Sequence, residues 1–128
     1  MDPERELLRD LSSRLTRLHG LLLDRERYAY EARHGSTPSH ELFRLVLHDD
    51  RFAWLRALSR LIAQIDETVD ADEALVADTV ERANAAVYRL LKAGGDGEFQ
   101  RKYHAALQES PDVVMAHADV SKILPRTS

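Results

Sequence analysis

The apolar positions in the first third of the chain predict one long amphipathic helix. Leucines recur there every three or four residues, as in a coiled-coil seam: Leu8, Leu11, Leu15, Leu18 and Leu22. Asp2 suits the N-cap and Pro3 the first helical position, so we predict a helix from Pro3 to Arg33. Such a helix is about 45 Å long, more than a compact domain of this size spans. Either one end projects toward a partner, or the helix bends at Gly20.

Further apolar stripes of helical period follow, separated by breaks that contain glycine or proline. Thr37 is expected to cap the second helix, with Pro38 at its first position. Asp49 or Asp50 then caps the third helix, unless the second and third helices continue with only a kink. The predicted ranges of the later helices are Arg51 to Val69, Asp72 to Lys92, Glu98 to Glu109 and Pro111 to Leu124.

These stripes predict an all-α fold, because no strand-like alternation separates them. Short connections favour antiparallel neighbours, so we expect an antiparallel helical bundle with about four long layers built from five or six helices. The length of 128 residues fits one domain. We assign residues 1–124 to it and residues 125–128 to a tail.

Composition excludes several classes of chemistry. Without cysteine, the chain has no thiolate nucleophile and no cysteine-ligated metal site. No glycine-rich phosphate loop, G-x-S-x-G or H-E-x-x-H motif occurs, and we expect no cofactor. The net charge of −4 does not favour nucleic acid as a partner. The chain has a charged N-terminus and no run of 18 apolar residues, so we expect a cytoplasmic protein without a membrane partner.

Histidines and carboxylates supply the candidate chemistry for a ligand-binding site. The tripeptide His48, Asp49 and Asp50 could hold a cation or act as a base, but helix capping at the junction is the favoured interpretation. His104 and His117 are further candidates, and His117 lies on an apolar stripe with Tyr103 and Asp119 as possible neighbours. The Glu-x-x-His spacing of a bundle metal site occurs only once, so we predict no metal site.

An acidic segment from Asp66 to Glu81 contains no lysine or arginine. Its spacing lacks the glycine and the alternating ligands of an EF-hand loop, so it does not indicate calcium binding. Charges at the end of one helix and the start of the next are usually solvated. The functional alternative is an acidic surface that docks a basic protein partner.

The segment from His48 to Glu67, HDDRFAWLRALSRLIAQIDE, contains FAWLR followed by LS, LI and IDE. It resembles a segment in a family of small bacterial all-helical proteins of unknown function. The resemblance covers about 20 residues strongly and implies a bacterial, cytoplasmic protein. It implies no activity and no site residues.

Taken together, these features predict a non-enzymatic module that acts by protein association. The leucine seam of the first helix, from Leu8 to Leu22, is the predicted interface of a homodimer. The alternative is a ligand- or metal-binding bundle with a histidine and carboxylate site.

Overall fold

The computed structural model describes residues 2–71 and 73–125, which form seven α-helices and no strand. The predicted all-α class is therefore confirmed for the described chain. The helices are α1 Pro3–His34, α2 Ser39–His48, α3 Asp50–Ala53, α4 Arg56–Asp70, α5 Ala77–Leu91, α6 Glu98–Glu109 and α7 Pro111–Ile123.

Helix α1 is continuous over 32 residues, so Gly20 does not break it. At its start, the backbone amide of Arg5 donates to the Asp2 carboxylate at 3.2 Å, which is the predicted N-cap. At its end, Gly35 has φ of 84°, a left-handed conformation that glycine adopts without strain.

Helices α1 and α4 pack antiparallel, and polar contacts along their interface fix the register. Because the partners on or near α4 come earlier in the chain as α1 proceeds, the two helices run in opposite directions. The contacts, in order along α1, are Arg5 with the carbonyl of Val69, Ser12 with Asp66, His19 with Ser59, and Glu26 with the Trp54 indole.

The core is one cluster of buried apolar side chains from α1 and α3 to α7. Helix α7 packs antiparallel to α1, since Arg14 donates to the Asp119 carbonyl at 2.7 Å, and Arg25, further along α1, pairs at 2.7 Å with Glu109 just before α7. Helix α5 packs on α1 and α4, and α6 packs on α5 and α7. Helix α2 contacts mainly α3 and buries no side chain completely.

The predicted third helix, Arg51 to Val69, is wrong as a single element because a turn at Trp54 and Leu55 divides it. Phe52 and Trp54 would lie about 200° apart on a continuous helix. The Leu55 amide instead donates to the Phe52 carbonyl at 3.2 Å, a tighter turn. Phe52, Trp54 and Leu55 are therefore all buried.

The predicted fourth helix begins at Asp72, which lies outside the described residues, whereas α5 begins at Ala77. Leu75 and Val76 are not helical, and Val76 occupies the N-cap position. The Arg5 guanidinium donates to the carbonyls of Val69, Ala71 and Glu73, which holds the preceding segment against α1. These long-range contacts hold Glu73, which the predicted helix included, beside the end of α4.

The predicted cap of the second helix is also wrong. Pro38, rather than Thr37, occupies the N-cap of α2, and no side chain caps it. Thr37 is buried, and its amide donates to the Glu31 carboxylate on α1. The predicted ranges of the last two helices match α6 and α7 to within one residue, and Ser110 caps α7 through the Val113 amide. Of the predicted tail, only Pro125 is among the described residues.

Candidate functional site

The candidate site at His48, Asp49 and Asp50 lies at the junction of α2 and α3. His48 and Asp50 are exposed to solvent. The Asp49 carboxylate accepts a hydrogen bond of 2.8 Å from the Arg51 amide, as an N-cap residue does. Helix capping, the structural interpretation of this tripeptide, therefore explains Asp49.

Of the other two candidate histidines, His104 is exposed on α6 and His117 is half-buried on α7. The Tyr103 hydroxyl lies 2.6 Å from His117 Nδ1, so one of the two possible neighbours is in place. The second possible neighbour, Asp119, lies 3.4 Å from the Lys122 ammonium group instead. The candidates thus occupy different helices, and the described residues contain no group of three histidines or carboxylates that could hold a metal ion.

The Tyr103 and His117 pair is held in its neutral form by its surroundings. Burial raises the pKa of the Tyr103 hydroxyl, so the phenol keeps its proton. Burial, and then the positive charge of Lys92, lower the pKa of His117. A protonated phenol that donates to Nδ1 of a neutral imidazole satisfies both groups. This arrangement stabilises the contact between α6 and α7.

A second histidine pair, which the sequence analysis did not identify, joins α1 to α4. His19 Nε2 lies 2.7 Å from the Ser59 hydroxyl, and burial lowers the pKa of His19. A serine beside a histidine is the arrangement of an activated nucleophile, but the principal cavities of the described chain are lined by other residues. The Ser59 hydroxyl also lies 3.2 Å from the Leu55 carbonyl, as a structural serine does.

The five leucines predicted as a dimer interface lie instead inside the chain. Each is at most 2% exposed and packs in the common core: Leu8, Leu11, Leu15, Leu18 and Leu22. A second copy cannot contact these side chains without opening the fold. The prediction was wrong because the period of a seam indicates burial but does not say which helices cover it.

Helix α2, which lies near the C-terminal end of α1, carries two exposed apolar side chains. Phe43 is 68% exposed and Leu47 is 48% exposed, one helical turn apart on the same side of α2. His40 and Arg44 are exposed beside them. We call these four residues the α2 face. The helical period of the apolar residues in this segment predicted a helix, but spacing alone could not show which of these side chains remain uncovered.

The side of α2 opposite the α2 face is half-buried, with Leu42, Leu45 and Val46 packed against the core. Both ends of the helix are held near the end of α1. The Arg27 guanidinium donates to the Thr37 carbonyl at 2.8 Å before α2. After it, Phe52 of α3 lies 6.4 Å from Tyr30, between ring centroids. The α2 face is thus presented on an anchored helix.

Comparison with known proteins adds no relative: no protein-family model, curated protein or solved structure matches this chain. The resemblance of the segment from His48 to Glu67 therefore stays a prediction. In the described part of the chain, no helix is both long and apolar enough to cross a membrane.

Proposed function

We propose that this protein is a non-enzymatic interaction module that binds a protein partner through the α2 face. The observation that carries the proposal is the exposure of Phe43 and Leu47 on a helix that buries none of its side chains completely. Two apolar residues one turn apart are the anchors that an amphipathic helix offers to a groove. Large aromatic side chains are also frequent hot spots of protein interfaces.

The surroundings of the α2 face support a role in recognition. Among the described residues, no ion pair or side-chain hydrogen bond neutralises Arg44. An exposed cation beside two exposed apolar side chains favours a partner that is apolar at its centre and acidic at its edge.

Site-specific photo-crosslinking tests this function. A photoreactive phenylalanine analogue replaces Phe43 in one preparation and Met115 in another, because Met115 of α7 is 66% exposed and makes a matched control. In an extract of the source cells, we expect discrete protein adducts from position 43 and none from position 115. Equal labelling at both positions, or none at position 43, would contradict the proposal.

A further inference from the structure

A second apolar surface lies near the beginning of α1. It has carboxylates at its edge, whereas the α2 face carries the cation of Arg44. It is a groove of about 310 Å³ between α1, α5 and the end of α7. Leu7 is exposed and Val80 and Ile123 are half-buried, and these three supply its open apolar lining above the buried Leu11. Glu4 and Glu81 lie at its edge. We call it the α5 groove. Leu7 is 52% exposed, so the lining is open to solvent.

The edge of the α5 groove belongs to the acidic part of the molecule. Glu81 is exposed, and no ion pair neutralises it among the described residues. Elsewhere in the acidic segment, Asp70, Glu73 and Asp78 are also exposed, and Asp78 pairs with Arg82 at 3.3 Å. An apolar groove with this edge suits an amphipathic helix that carries positive charge beside its apolar anchors.

We propose that the α2 face of one molecule docks in the α5 groove of a second copy of this chain. The inference rests on the proposed function of the α2 face and names its partner. Phe43 and Leu47 would enter the apolar lining, while Arg44 would approach Glu81. The two surfaces are complementary: the α2 face carries two apolar anchors and a cation, and the α5 groove has an open apolar lining with the carboxylates of Glu4 and Glu81 at its edge.

A single molecule cannot make this contact within itself. Leu7 in the groove and Arg27, which anchors the start of α2, are separated by about 20 residues of one continuous helix, roughly 30 Å. Both ends of α2 are held near the end of α1. The occupant of the groove must therefore come from another molecule.

The contact is heterologous, since it joins two different surfaces of identical chains, and such contacts form chains of molecules unless they close into a ring. A helix of ten residues in an open groove buries little area, which predicts weak association that increases with protein concentration. Because exposed charges flank the contact, added salt should weaken it further.

Sedimentation velocity of purified variants tests the pairing of the two surfaces. We expect the wild type to associate with increasing concentration. Phe43→Asp alters the α2 face and Leu7→Asp alters the α5 groove; both positions are exposed, and we expect each change to weaken association about tenfold or more. Met115→Asp is the matched control and should associate as the wild type does. Thermal unfolding of every variant checks that the fold is retained.

Mixing the two variants gives the sharpest result. The Phe43→Asp variant keeps an intact α5 groove, and the Leu7→Asp variant keeps an intact α2 face. The mixture can therefore form one contact, between the α2 face of the second and the α5 groove of the first, and must stop at a dimer. The charge-exchange pair Arg44→Glu and Glu81→Arg tests the same pairing without changing an apolar residue. In their mixture both contacts join opposite charges, so association is not limited to a dimer. Each of these variants should associate weakly alone, and the two should associate together.

Three results would overturn the self-docking proposal. The wild type could remain a monomer at millimolar concentration. Phe43→Asp could abolish association while Leu7→Asp leaves it unchanged, which would place the α2 face elsewhere. The monomer could bind vesicles of phosphatidylcholine and phosphatidylserine through Phe43, which would make the partner a membrane. In the first two cases, adducts from position 43 to a different protein would leave the proposed function intact.

Discussion

At the scale of single residues, two partly buried histidines connect neighbouring helices through neutral hydrogen bonds. His19 meets the Ser59 hydroxyl between α1 and α4, and His117 meets the Tyr103 hydroxyl between α6 and α7. In both cases burial lowers the pKa of the imidazole. A charged imidazole would lose solvation at these positions, so folding favours the deprotonated form.

This preference predicts a pH dependence of the free energy of unfolding. Since the folded-state pKa lies below the ordinary value of 6.5 for both histidines, the unfolded chain binds more protons than the folded chain between the two values. The contribution to stability is thus fully present above about pH 7.5 and is lost as pH falls through 6.5 toward the folded-state pKa. Urea denaturation between pH 7.5 and about 5.5 should show this decline.

Replacing the histidines identifies the source of the slope. His19→Gln and His117→Gln should each reduce the loss of stability on acidification, because glutamine takes up no proton. His104→Gln, at an exposed position, is the control and should keep the wild-type slope. Equal slopes in all four proteins would show that neither buried imidazole is responsible.

The two histidine contacts differ in how far they could be predicted from the sequence. His117 lies on the apolar stripe of its helix, and Tyr103 is on the facing stripe of the preceding helix, so their contact could be anticipated. His19 and Ser59 lie 40 positions apart and share no local pattern. Their contact depends on the register of α1 against α4, which only the packed structure supplies.

At the scale of helices, the first residue of a helix could be predicted where a capping side chain begins it. Asp2 begins α1, Ser110 begins α7, and both were predictable from residue type. The predicted helix boundaries were wrong where contacts with residues distant in sequence set the boundary. The turn at Trp54 lets the indole donate to Glu26 of α1 at 3.1 Å, and Arg5 binds the segment before α5. A short sequence window does not contain these partners.

The inward position of the leucine seam predicts a large stability effect for Leu15, which is fully buried. Leu15→Ala removes buried apolar atoms and leaves a cavity, so the free energy of unfolding should fall by about 2–5 kcal/mol. Leu7→Ala, on the same helix but 52% exposed, should change it by less than about 1 kcal/mol. Urea denaturation of the two variants measures the contrast, and equal losses would mean that the seam is not the core of α1.

The contacts of Arg5 predict a smaller, specific effect at the end of α4. Its side chain is 17% exposed and donates to the carbonyls of Val69, Ala71 and Glu73. Arg5→Ala should lower the free energy of unfolding by about 1 kcal/mol, since the bonds are charge-assisted but partly solvated. Arg9→Ala, one turn further along α1 and exposed, is the control. If the two variants unfold alike in urea, Arg5 does not hold this segment.

At the scale of the whole molecule, α1 separates two accessible apolar surfaces, one with Arg44 beside it and one with Glu4 and Glu81 at its edge. The acidic segment and the α5 groove lie near its beginning, and the α2 face lies near its end. The sequence predicted the acidic segment and the amphipathic character of every helix. It could not predict which apolar faces stay uncovered, because α1 and α2 both carry apolar stripes and only packing decides that α1 is enclosed while α2 is not.

This arrangement predicts that stability is unequal along the molecule. Helix α2 buries no side chain completely, whereas α1 places five leucines in the core. Local opening should therefore expose the α2 amides more often than those of α1 between residues 8 and 22. Hydrogen exchange followed by mass spectrometry in a dilute sample should show fast exchange for peptides from α2 and slow exchange for the seam.

The same measurement at high protein concentration separates local stability from docking. If the α2 face enters the groove of a second copy, exchange in α2 should slow as concentration rises, and so should exchange around Val80, while the seam stays unchanged. Phe43→Asp should abolish the concentration dependence at both places, because one contact protects both. Slowing at α2 without slowing at Val80 would mean that molecules meet through α2 alone, and the opposite charges at the two ends of α1 would then play no part in their association.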